Sequence, residues 1–340
     1  METKKINGLM LGIFLLHIAI VVLMSVTAGQ ITIGVILSLS LGEIILLTPS
    51  LVYMLFYKIS KPKAVKSEKD EYIEAGTYYE EEAAQVCAAK KESFKERLHY
   101  NKVKPSTLAY VLFFTWLSMP LTTLINAISM LFVDNTIVAM TDIILNVPFP
   151  LMLFLMAVLP AAVEEFVFRG IAYGGYRKSG TKFMAVMLSA LMSGLMHMNL
   201  NQALYAFVIG ILLALLFEAT NSIWTTMLFH FIYNAQSCCM MFLIEAIMPG
   251  YYQDVANVAL GQEELFMTIS VYLIIAAVAT PLAFCMLYKI AKNENRAPEL
   301  MECLPKKQQG KERLVTVSYI LAVVVAIAYI IYDIVLSMRM

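Results

Sequence analysis

Two adjacent carboxylates and an arginine stand inside an apolar stretch, Glu164-Glu165-Phe166-Val167-Phe168-Arg169, after an uncharged run from Leu151 to Val163. On a helix, Glu165 and Arg169 are four apart, share a face and can pair. Glu164 is turned about 100° from its neighbour and is left without that partner. An unpaired carboxylate at membrane depth is costly and marks function; the structural alternative is an ion-pair network joining two helices. Two of the four histidines, His197 and His230, fall in the same quarter of the chain. His230 and Asn234 are one helical turn apart and can aim at one point. A carboxylate in an apolar site is suited to take a proton from water near neutral pH. A histidine beside it can share that proton or pass it to a leaving amine. A second histidine and an asparagine amide can donate to a developing oxyanion. Together these groups are the equipment of an amide hydrolase.

The elements that position them are membrane helices. Of 340 residues, 60% are hydrophobic and only 15% charged, against about 45–50% and about 25% in soluble domains. This composition predicts an all-α fold, a polytopic transmembrane bundle of about 8–9 helices. A bilayer core needs about 20 apolar residues per helix. Runs near 8–29, 31–57, 106–133, 147–177, 181–199, 202–219, 222–248, 264–290 and 314–338 meet that need. The expected divisions are an N-terminal transmembrane hairpin (1–57), a cytoplasmic polar loop (58–105) holding a helical segment, a catalytic core (106–250), and C-terminal helices with a cytoplasmic loop (251–340). Lysine and arginine cluster at Lys4/Lys5, through 58–104, at Arg177/Lys178/Lys182 and from Lys289 to Arg313. Nine alternating spans put all these clusters on one side, so the positive-inside rule places the amino terminus in the cytoplasm of a cell membrane. The start of the chain reads as a retained first helix, since no small-residue cleavage site follows it. Zero net charge offers nothing to nucleic acid, and the five cysteines form no CxxC pair or disulfide framework.

Glu164 lies about 15 residues before the basic turn near Lys178–Gly180, and His197 about 17 after it. At 1.5 Å per residue both sit roughly 20–25 Å along antiparallel neighbours, at a common depth. Met198-Asn199-Leu200-Asn201-Gln202 then forms a polar break, which membrane cores tolerate beside protein or water. His17 and Glu43, on the first two helices, have no polar companion at helical spacing and read as packing or hydrogen-bonding residues. Every proposed catalytic group lies after residue 150, so the hairpin and the loop are expected to be dispensable for the chemistry.

Three motifs in order carry a family resemblance. They are Glu164-Glu165-x-x-x-Arg169 followed by Gly170, Ser193-Gly194-Leu195-Met196-His197, and His230-Phe231-Ile232-Tyr233-Asn234. The chain resembles the CAAX protease and bacteriocin-processing (Abi) family of intramembrane proteases over about 150–240. The second motif departs from that pattern, with serine where phenylalanine is usual; that is a packing position. The resemblance implies a multi-pass endopeptidase acting on a membrane-associated peptide or protein, with or without a lipid on it. Its relatives serve CAAX trimming, peptide maturation or bacteriocin self-immunity. It also implies roles: Glu164 and His197 activate water, His230 and Asn234 form the oxyanion hole, and Glu165 with Arg169 support them.

Two histidines and a glutamate are also a catalytic zinc set. No His-Glu-x-x-His occurs and no supporting acid is identifiable beside either histidine. The expectation is therefore a glutamate peptidase with no metal or other cofactor, zinc being the alternative. A transporter or immunity protein built on the same polar site is the competing class; the chain shows no inverted repeat in its favour.

Overall fold

The computed structural model describes residues 2–27, 31–56, 98–252, 262–305 and 313–337, and their regular structure is entirely helical. Nine principal helices follow in order: α1 (Glu2–Thr27), α2 (Ile31–Phe56), α3 (Pro105–Ser129), α4 (Phe149–Ser179), α5 (Lys182–Leu195), α6 (Leu200–Thr220), α7 (Ile223–Ile247), α8 (Gln262–Asn293) and α9 (Val317–Ser337). Each apolar run of the sequence forms one of them. Seven are long and apolar enough to cross a membrane, while α5 and the Leu39–Leu55 part of α2 are apolar but shorter. The polar segment 58–97, with the helix expected inside it, lies outside the described residues.

Local chemistry sets the boundaries. Pro105 opens α3, where its missing N–H costs nothing. The Thr181 hydroxyl caps α5 by accepting from the Met184 amide, and Asn199 Oδ1 caps α6 by accepting from the Gln202 amide at 2.8 Å. Asn221, in the left-handed region at φ 52°, ends α6.

The α4 helix is not uniform. It widens to π-helix over Phe154–Val158 and again over Glu165–Tyr173. The first wide turn directly precedes Pro160, which has no amide to return to the carbonyl one turn earlier. The second begins at the paired carboxylates. Wide turns of this kind cluster at functional sites.

Side chains of α3, α8 and α9 such as Trp116, Ile274 and Val324 are more than half exposed on the outside, as a lipid-facing surface requires. The interior is the packing of α4 and α6 with α5, where Phe168, Tyr173, Leu216 and Phe217 are fully buried. Two glycines allow α5 and α6 to touch. A Cβ on Gly210 would lie 2.9 Å from Cα and Cβ of Ala190, and one on Gly194 would lie 2.6 Å from the Ala203 carbonyl oxygen. Any larger residue forces these helices apart.

The polar ends sort by side. Asn7, at the start of α1, donates to the Leu314 carbonyl and to Thr316 just before α9, and accepts from the Tyr176 hydroxyl at the end of α4. Lys104 donates to the Asn293 carbonyl at the end of α8. Arg177 and Arg296 both reach Glu218. The basic segments near residues 4, 104, 177–182 and 289–302 therefore share one end of the bundle, the grouping that the charge distribution requires of nine alternating helices.

Candidate active site

Glu165 is fully buried, and its Oε1 accepts from Arg169 Nη1 at 3.0 Å. The same oxygen lies 2.9 Å from Nδ1 of His230 on α7. A carboxylate oxygen accepts, so the imidazole donates. Arg169, itself 2% exposed, sends Nη2 to the Gly210 carbonyl on α6 at 3.2 Å. One ion pair on α4 thus ties α4 to α6 and to α7. Removing a partner from such a pair strands a buried charge.

In front of this tie is a cavity of about 420 Å³, within the range of ligand pockets. Glu164, Arg169, His197, His230 and Asn234 all line it. Glu165 does not, standing behind the wall where it holds His230. Glu164 is close enough to both histidines to act on them electrostatically. The depth arithmetic and the one-turn spacing thus bring their residues to a single chamber.

The His197 position follows from the break after α5. Met198 takes the left-handed region at φ 54°, uncommon for a side chain of its size. Asn199 Nδ2 donates to the His197 carbonyl and to Gln202 Oε1, both at 2.9 Å. The loop is thereby held by its own side chains, and His197 is delivered at the mouth of α6. The facing wall is polar. Asn201 donates to Asn126 and Ser129 of α3, and the Tyr233 hydroxyl donates to Thr122. Thr122, Asn126, Gln202 and Tyr205 line the cavity beside these links, offering donors and acceptors to a peptide backbone.

The amino-terminal hairpin also reaches this chamber. Glu43 of α2 lines the cavity and interacts electrostatically with Glu164. His17 of α1 is similarly close to His197. Neither has a charged companion at helical spacing on its own helix. Their companions are on other helices, where single-helix periodicity cannot find them. The usable signal was the charge itself, one carboxylate in an apolar span.

Glu218 was also missed. It is fully buried at the basic end of α6 and bonded to Arg177 at 2.5 Å, Lys182 at 2.8 Å and Arg296 at 3.6 Å. Arg177 also reaches Nε2 of His99 at 2.7 Å. Burial first, and then the adjacent Arg177, push the His99 imidazole down to about 4.

A zinc reading would make ligands of Glu164, His197 and His230. Among the described residues no three His, Cys, Asp or Glu side chains are grouped so as to hold a metal ion. The supporting acid that the sequence did not identify is present, because Glu165 holds Nδ1 of His230 and leaves Nε2 free, an arrangement that orients a histidine for acid–base work and for metal ligation alike.

Residues 146–236 match the family model for type II CAAX prenyl endopeptidase Rce1-like proteins. A curated Bacillus subtilis (strain 168) protein named "Putative membrane peptidase YdiL" is 29% identical over 96 residues, which are 28% of this chain and 38% of that protein. The match therefore spans well under half the length of that relative. No solved structure matches the chain significantly. The matched segment runs from just before α4 to the turn of α7 that carries His230 and Asn234, and over it the resemblance to the CAAX protease family read from the three motifs is borne out.

Proposed function

We propose that this chain is an intramembrane endopeptidase that cuts a peptide or protein at the membrane, with Glu164 as the base. The observation that carries the reading is the contrast within one motif. Glu165 is buried with Oε1 held by both Arg169 and His230, whereas Glu164 faces a cavity shared with His197, His230 and Asn234.

The chemistry follows from these positions. Glu164 takes a proton from water as the water oxygen adds to the scissile carbonyl carbon. The Asn234 amide donates to the oxygen that gains charge. Because Glu165 occupies Nδ1 of His230, Nε2 is the nitrogen left for the cavity, and in its protonated form it is the second donor. When the C–N bond breaks, the proton held by Glu164 passes through His197 to the departing amine. Water has then been divided between a new carboxyl group and a new amine, and the enzyme groups are restored. Glu165 and Arg169 position His230 and touch no reacting atom. No step needs a metal, so cleavage should persist in chelator.

Substrate class is part of the proposal. The name of the matching family supports CAAX-type processing, and peptide maturation or self-immunity remain roles of the same chemistry. The experiment is peptidomics of membranes from cells carrying the wild-type chain or Glu164→Ala. Uncut precursors should accumulate in the variant. Identical peptide profiles, with any immunity or export phenotype intact, would instead favour a transporter or immunity protein.

A further inference from the structure

The hairpin residue Glu43 is a carboxyl group at the cavity that the proposed reaction does not use. Two carboxylates, Glu43 and Glu164, line one cavity and act on each other electrostatically. Arg169 is the only lysine or arginine among the described lining residues, and its guanidinium is already held by Glu165 and the Gly210 carbonyl. Glu43 Oε2 is out of contact with solvent and has no hydrogen-bond partner among the described residues. Burying a carboxylate without a counter-charge is expensive, and a cation brought beside it gains more than it would in water.

We infer that Glu43 is a specificity residue. With Glu164 it forms a carboxylate-lined end of the cavity that receives the positive charge of the substrate, a lysine or arginine side chain or a free amino terminus near the bond to be cut. The inference rests on the peptidase reading. It assigns α2 a part in choosing substrate while the chemistry stays with α4 to α7. Leu39, four residues earlier on the same helix, lines the cavity with Glu43, so a basic side chain can lay its apolar stem along α2 and place its head at the acid.

The test uses the full chain in detergent micelles and matched pairs of internally quenched peptides, with lysine or norleucine at each position flanking the cut. Amino-terminally free and acetylated forms of each distinguish a side-chain cation from a terminal one. Wild-type protein should cut the cationic member about tenfold faster or more, the usual worth of a charge-assisted contact. In Glu43→Gln the ratio should fall to near one whatever the absolute rate, and Glu43→Asp should restore part of it. A variant that merely folds poorly lowers both members together and leaves the ratio. An unchanged ratio, or no preference in the wild type, overturns the inference. If no peptide is cut faster than by Glu164→Gln, the peptidase reading fails separately. Fluorescence anisotropy of the labelled lysine and norleucine peptides then decides the cation site. Tighter lysine binding that depends on Glu43 supports it, and equal affinities sink it.

Discussion

Carboxylates on apolar helices meet two opposite fates in this molecule. At the basic end, Glu218 is surrounded by Arg177, Lys182 and Arg296. Around the cavity, Glu165 has its arginine and histidine, but Glu164 and Glu43 face open space. A carboxylate with a full set of cationic partners ties helices together and is inert. One left short of partners at a cavity is available to a substrate. Both kinds occur one residue apart at Glu164 and Glu165, because successive helical residues point in different directions.

Arg169→Ala should have the largest effect on stability, about 3–5 kcal/mol, the usual cost of stranding one member of a buried pair. It should appear as a lower melting temperature in detergent and less folded protein; normal expression and heat resistance would contradict the tie. Asn234→Ala should leave melting unchanged and lower kcat by about 10²–10³-fold, the typical worth of an oxyanion donor. A matching loss of stability would recast Asn234 as a packing residue. The smallest effect is expected at His99. Its folded-state pKa, about 4, is below the ordinary imidazole value of 6.5, so the unfolded chain binds more protons between those values. The neutral imidazole contributes stability above about pH 6.5 that is lost as pH falls toward 4. His99→Gln should flatten the acid side of the melting-temperature profile. An unaltered profile would mean that Arg177 does not need a neutral acceptor there.

Much of this was legible in the sequence, for a definable reason. Apolar length alone located the nine helices, and the spacing of Glu165 and Arg169 gave their pairing, because both signals live within one helix. The common depth of Glu164 and His197 came from counting residues to a shared turn. What was hidden depends on which helix packs beside which. The bond from His230 to Glu165 joins residues 65 apart, and that from Arg177 to Glu218 joins residues 41 apart. Glu43 was visible as a charge in an apolar run, but its companion Glu164 is on another helix. The wide turns of α4 had one local signal, Pro160, which explains the first and not the second.

The central claim is that an under-partnered carboxylate does chemistry where a fully partnered one holds structure. The most direct measurement sets Glu164→Gln beside Glu218→Gln in the full chain, reading peptide cleavage and melting temperature on the same preparations. The account predicts that Glu164→Gln loses cleavage by about 10²–10⁴-fold, the contribution of a positioned base, with melting unchanged. Glu218→Gln should melt at a lower temperature yet retain cleavage wherever it remains folded. A Glu164→Gln protein that still cuts, or one that fails only because it unfolds, would contradict it.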